Sequence, residues 1–125
     1  MKKRIYYHDT DCGSVVYYAN YLKYLEEART EFFASRGVPI EELAKKGILF
    51  VVARQEIDYK YPAFYADTLE IVTRVTGTSS VRLTFEHEIK NQQGKLTTQA
   101  KTVLVCVDNN FKPRVIPEDI LKAIS

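Results

Sequence analysis

The chain has 125 residues, 46% of them hydrophobic and 27% charged, with 18 Lys and Arg against 16 Asp and Glu for a net charge of +2. That length and composition describe one globular domain over residues 1–125 and exclude a disordered or fibrous chain. The even charge balance gives no reason to expect nucleic acid, no apolar run approaches the length that crosses a bilayer, and "MKKRIYYHD" lacks the apolar stretch of a signal peptide.

Residues 2–8 predict a first strand. From about Tyr18 to Arg36, Tyr21, Leu22, Leu25, Ala28, Phe32 and Phe33 recur at helical spacing. Asn20 or a neighbour is placed to cap this helix, and Gly37 to stop it in the left-handed conformation. "VPIEELAKKG" predicts a second, short helix with Pro39 in its first turn and Gly47 at its end. The period then changes to two. Val51, Ala53, Ile57, Tyr59 and Tyr61 alternate with Arg54, Glu56, Asp58 and Lys60 until Pro62. Leu69 to Val75 predict the next strand and "TGTSS" the turn after it. Val81, Leu83, Phe85, His87 and Ile89 mark another strand, and "NQQG" turns the chain into "KLTTQAKTVLVCVD". "NNFKPRVIP" leads to a last short helix that begins at Pro117, Glu118 and Asp119.

Consecutive hairpins imply an antiparallel sheet. A helix of about 18 residues is roughly 27 Å long, the length of a strand of eight or nine residues. One curved sheet can therefore cover it, which makes the fold class α+β. The run from Phe50 to Tyr61 is long for a sheet edge and invites pairing with a copy of itself. "TVLVCV" is apolar on both faces, so something besides the helix is expected to cover the second one. Both features predict a homodimer or homotetramer.

The chemistry concentrates before the long helix, in "DTDCGSVVYYANYLKYL". A carboxylate there lies beside unpaired backbone N–H groups and the positive end of the helix dipole. Such N–H groups can stabilise an oxyanion, and the carboxylate is a ready base or nucleophile. A thioester is the substrate that needs least further help, because its thiol leaves readily as thiolate. Three other readings exist for the same residues. Acids and small residues are what any helix start prefers. His8, Asp9, Asp11 and Cys12 carry metal-ligating groups, but their crowding matches no standard site and no metal is expected. Cys12 near His8 could act as a nucleophilic thiol. Cys106, inside "TVLVCV", reads as a buried strand residue, and two cysteines without a disulfide framework fit the cytoplasm. Nine tyrosines and no tryptophan, with Tyr17, Tyr18, Tyr21 and Tyr24 in one group and Tyr59, Tyr61 and Tyr65 in another, suit half-wet clefts and subunit interfaces.

"YYHDTDCGSVVYYANYLKYLEEARTEF" closely resembles the active-site segment of the 4-hydroxybenzoyl-CoA thioesterase family, in particular its YbgC-like, Tol–Pal-associated branch. The likeness continues through "ADTLEIVTRVTGTSSVRLTFEHEI" and "VLVCVDNNFKPRVIP". It implies the hotdog fold, a long helix wrapped by an antiparallel sheet of about five strands, and subunits paired edge to edge with acyl-CoA in the seam. It also implies hydrolysis of an acyl-CoA thioester. The family's catalytic aspartate falls on Asp11, not Asp9, and its polarising backbone N–H on Tyr18. Many branch members read "DTDAGGVVYHANY", so Cys12, Ser14 and Tyr18 stand here where they carry Ala, Gly and His.

No cofactor is expected beyond the coenzyme A that is part of the substrate. His8 is a candidate at the loop, and Ser80, Arg82 and Arg114, with Lys112, are candidates for the coenzyme A phosphates. A surface or structural role is the alternative for each. The rival function is a non-catalytic hotdog protein linked to phospholipid metabolism that binds acyl-CoA or an acyl carrier protein. Asp11 as nucleophile and Asp11 as general base both remain open, as does the acyl group.

Overall fold

In the computed structural model, which describes residues 1–125, the predicted elements appear in the expected order. A short β1 (Lys2–Arg4) precedes the long α1 (Asn20–Ser35) and the short α2 (Ile40–Lys45). Four long strands follow: β2 (Leu49–Tyr59), β3 (Thr68–Thr78), β4 (Arg82–Lys90) and β5 (Leu96–Val107). The chain ends in α3 (Glu118–Ile124). The strands form one sheet in the order β1-β3-β4-β5-β2, with every pairing antiparallel. The sheet is a curled half-barrel around α1, which is the hotdog arrangement. No helix is long and apolar enough to cross a membrane.

The stripe of α1 that meets the sheet is Tyr21, Tyr24, Leu25, Ala28 and Phe33. Leu22, one position off that stripe, is 47% exposed rather than part of the apolar face. Gly37 and Gly47 follow the first two helices at φ 73° and 75°, a conformation that costs other residues more. The first strand is shorter than the sequence predicts. Asp9 Oδ2 accepts the Tyr6 N–H at 2.8 Å, and residues Tyr7–Asp9 close into a 3₁₀ turn instead of continuing the ladder. The short helices do not cover the outer face of the sheet. Ile120 and Ile124 of α3 close one end of the inner core with Phe33, Leu83, Leu104 and Cys106. Outside, Val103 and Val105 are half-buried among charged neighbours such as Lys101, Arg54 and Glu86.

A polar belt divides the interior into two apolar clusters. Arg29 of α1 donates from Nη1 to Thr102 Oγ1 at 3.3 Å, and Thr102 Oγ1 donates to Gln55 Oε1 at 2.8 Å on the edge strand β2. His87 of β4 lies in the same belt, 1% exposed, with Nδ1 at 3.1 Å from Thr73 Oγ1 and no partner for Nε2. Burial, and then the nearby Arg29 charge, lower its pKa from 6.5 to about 4.

An unfolded chain therefore binds a proton at His87 between about pH 6.5 and 4 that the folded chain refuses. Stability is present above that window and is lost as pH falls through it. Between pH 7 and pH 4.5 the loss from this group is expected to be about 2 kcal/mol. Urea unfolding at both pH values measures it, and His87→Gln should show a smaller acid loss than the parent chain.

Candidate active site

The loop ahead of α1 is built around the backbone of Asp9. Its carbonyl accepts the Tyr17 N–H at 3.0 Å and the Asn20 Nδ2 amide at 2.8 Å. Thr10 and Val16 pair across the loop, and the Asp11 N–H donates to the Val15 carbonyl at 3.0 Å. Asp11 is thereby exposed on the tip of the loop that leads into α1. Gly13 N–H donates to its Oδ1 at 2.9 Å, and Oδ2 makes no hydrogen bond within the chain. Ser14 holds a φ of 62°, the left-handed region where glycine is at ease.

The start of α1 has no cap. Ala19 stands at the N-cap with φ −71° and has no polar side chain to offer. Asn20, predicted as a capping residue, instead turns its amide back to Asp9. The N–H groups of Tyr18 and Ala19 donate to no acceptor in the chain, whereas Asn20 N–H donates to the Tyr17 carbonyl at 2.9 Å. Two unsatisfied donors at the positive end of a 16-residue helix are able to stabilise negative charge.

A cavity of about 290 Å³ is lined mainly by Val15, Val16, Tyr18, Tyr21, Tyr59 and Tyr61, so Tyr18 belongs to its wall while Asp11 and Ala19 do not. A larger groove of about 1000 Å³ lies elsewhere, between α1 and the β1–β3 edge, and touches neither Asp11 nor Tyr18. It carries Glu27, Glu31 and Glu70 beside Lys2 and Lys3, whereas the smaller, aromatic cavity is the one Tyr18 lines.

The other sequence candidates divide between loop and far end. His8 is exposed on the loop, its ring stacked on Tyr6 and its Nε2 3.7 Å from Asp9 Oδ1. Asp9 itself is buried and structural. Cys12 is exposed and Cys106 fully buried, both unpaired. No three His, Cys, Asp or Glu side chains converge as a metal site would need. Ser80, Arg82, Lys112 and Arg114 gather at the opposite end of the sheet. Arg82 pairs with Val105, the Ser80 carbonyl accepts the Ile116 N–H, and Arg114 Nη1 donates to the Gly47 carbonyl at 3.2 Å. Tyr59, beside the cavity, pairs with Thr98. From Thr98 to Val105 along β5 is roughly 24 Å, so one chain does not bring the two groups together. Asn20 as a loop tie and Tyr59 as more than a member of a tyrosine cluster are roles that the sequence pattern does not show. The signal in the chain is an Asn at the first helical position, one residue later than a cap would stand.

The model of the thioesterase-like superfamily matches residues 6–124. The acyl-CoA thioester hydrolase YbgC of Escherichia coli O6:H1 is 38% identical over 119 residues, 94% of this chain and 89% of that one. Among solved structures, a DHNA-CoA thioesterase from Staphylococcus aureus superposes with a TM-score of 0.94 at 29% identity, covering 98% of this chain and 85% of that one. A 4-hydroxybenzoyl-CoA thioesterase variant solved with 4-hydroxybenzoyl-CoA shares the fold, with a TM-score of 0.92 at 22% identity over 100% of this chain and 96% of that one.

Removing the tie at Asp9 should loosen the loop. Asn20→Ala is expected to lower the unfolding free energy by about 1 kcal/mol. Equilibrium urea unfolding checks the value, with Lys23→Ala on the exposed face of α1 as a near-neutral control.

Proposed function

The chain belongs to the thioesterase-like superfamily, and from that premise we propose that it is an acyl-CoA thioesterase with Asp11 and the Tyr18 N–H at its centre. One observation carries the reading: helix-start N–H groups that nothing in the chain satisfies follow directly on a loop whose tip exposes a carboxylate. Asp11 either attacks the thioester carbonyl, expelling coenzyme A thiolate and leaving an anhydride that water cleaves, or takes a proton from water that attacks directly. In both routes the carbonyl oxygen gains negative charge, and the Tyr18 N–H and the α1 dipole stabilise it. The products are the free acid and coenzyme A. The N–H belongs to the backbone, so Tyr18 in place of His leaves this role intact.

The working unit is a dimer at least. β2 is an edge strand of 11 residues with an unpaired outer edge, and Val52 on it is 51% exposed. A twofold axis through that edge pairs β2 with its copy in antiparallel fashion. The partner's Leu49 end then lies beside this chain's Tyr59 end. With it come the partner's own copies of Ser80, Arg82, Lys112 and Arg114, within reach of a coenzyme A whose thioester sits at Asp11. The half-buried Val103 and Val105 do not by themselves demand further assembly to a tetramer. A cytoplasmic location belongs to the same reading and suits two unpaired cysteines.

Turnover on a panel of acyl-CoA thioesters, from acetyl to palmitoyl and including benzoyl and 4-hydroxybenzoyl, tests the activity and identifies the acyl group. Asp11→Asn should lower kcat by about 10²–10⁴-fold with folding unchanged. Retention of near-normal turnover, with Cys12→Ser inactive, would move the chemistry to the thiol. Binding of acyl-CoA without hydrolysis by the parent chain would favour the non-catalytic reading.

The seam has its own test. Arg82→Glu is expected to raise the KM for acyl-CoA several-fold at low salt with little change in kcat, and dilution to monomer should abolish turnover. Ultracentrifugation across the assay range measures the second outcome, and a fully active monomer would refute the composite site.

A further inference from the structure

Each backbone N–H shares a rigid plane with the carbonyl of the preceding residue, so whatever grips that carbonyl also aims the N–H. The Tyr17 carbonyl, in the plane of the Tyr18 N–H, is held by the Asn20 N–H at 2.9 Å. The Tyr18 carbonyl, in the plane of the Ala19 N–H, is held from outside the helix. Tyr59, the last residue of β2, donates its hydroxyl to it at 3.1 Å, while the Tyr21 N–H reaches it only at 3.4 Å. The Tyr59 ring stands edge-on to Tyr18 and Tyr21, with centroids 6.3 and 5.4 Å away, and walls the same cavity. Burial and the neighbouring Tyr18 push the Tyr59 phenol up, which keeps it a neutral donor through the physiological range.

We propose that the Ala19 N–H is a second oxyanion donor and that Tyr59 is its positioning residue. The hydroxyl fixes the Tyr18–Ala19 peptide plane and, by drawing charge onto the carbonyl, makes the Ala19 N–H a stronger donor. Because Tyr59 ends the edge strand, the aim of this donor depends on β2 and on whatever pairs with it. The inference rests on the thioesterase reading and adds to it a residue and a backbone group that no motif identifies.

Tyr59→Phe keeps the ring and removes the hydroxyl. The expected result is a three- to thirty-fold fall in kcat with KM little changed, and a loss of thermal stability no larger than one exposed hydrogen bond accounts for. Ala19→Pro deletes the donor itself at a φ of −71° that proline accepts, and should also lower kcat. An unchanged kcat in Tyr59→Phe, or a loss confined to KM, overturns the proposal, as does full turnover in Ala19→Pro. Failure of the underlying reading looks different: the parent chain hydrolyses no thioester, or Asp11→Asn is as active as the parent.

Discussion

A helix that offers its first N–H groups to a ligand cannot also use them to hold its first turn. Ordinary helices satisfy those groups with a Ser, Thr, Asp or Asn side chain at the N-cap, and gain stability from it. Here Ala19 occupies that position and contributes nothing; the Tyr21 and Leu22 N–H groups turn back to the Tyr18 and Ala19 carbonyls, and the Tyr18 and Ala19 N–H groups ahead of them stay open. The turn is held by its carbonyls instead. Asp9 O gathers Tyr17 N–H and Asn20 Nδ2, Tyr17 O takes Asn20 N–H, and Tyr18 O takes the Tyr59 hydroxyl. Acceptors hold the turn in place, and the two donors are left free.

That arrangement explains why the loop is so closely specified. The Asp9 carboxylate is spent on the Tyr6 N–H, which curls the chain out of the sheet and sets the carbonyl of Asp9 under the helix start. Asp11, two residues on, is free of that work and reaches the surface, with only Gly13 N–H on one of its oxygens. Two aspartates of identical chemistry therefore have different tasks because one is buried and the other exposed. Ser14 in the left-handed region is the strained member of the loop.

The sheet adds a constraint of length. β2 carries Tyr59 at one end and Leu49 at the other, and the basic residues suited to phosphates lie near the Leu49 end. A single chain separates them by the length of the strand. Antiparallel pairing of two edges reverses one strand against the other and closes that distance without any change within the fold, so the proposed site and the proposed dimer rest on the same geometry. The polar belt of Arg29, Thr102 and Gln55 runs from the helix to the middle of the same edge, linking the core to it.

Much of this was legible in the chain itself. The change of period from 3.6 to 2 near residue 48, and turn residues such as Gly37, Gly47 and "NQQG", specified element order and an antiparallel sheet, because backbone periodicity and left-handed turns are local properties. The motif around Asp11 identified the loop. The tertiary structure decided what depends on packing between distant segments. The first strand ends at Arg4 because Asp9 bonds back to Tyr6, and Asn20 ties rather than caps because Asp9 O lies within its reach. His87 is buried against Thr73 and near Arg29, residues 14 and 58 positions away in sequence. Tyr59 meets Tyr18 across 41 residues, a contact that no local pattern encodes because it forms only when the sheet curls around the helix.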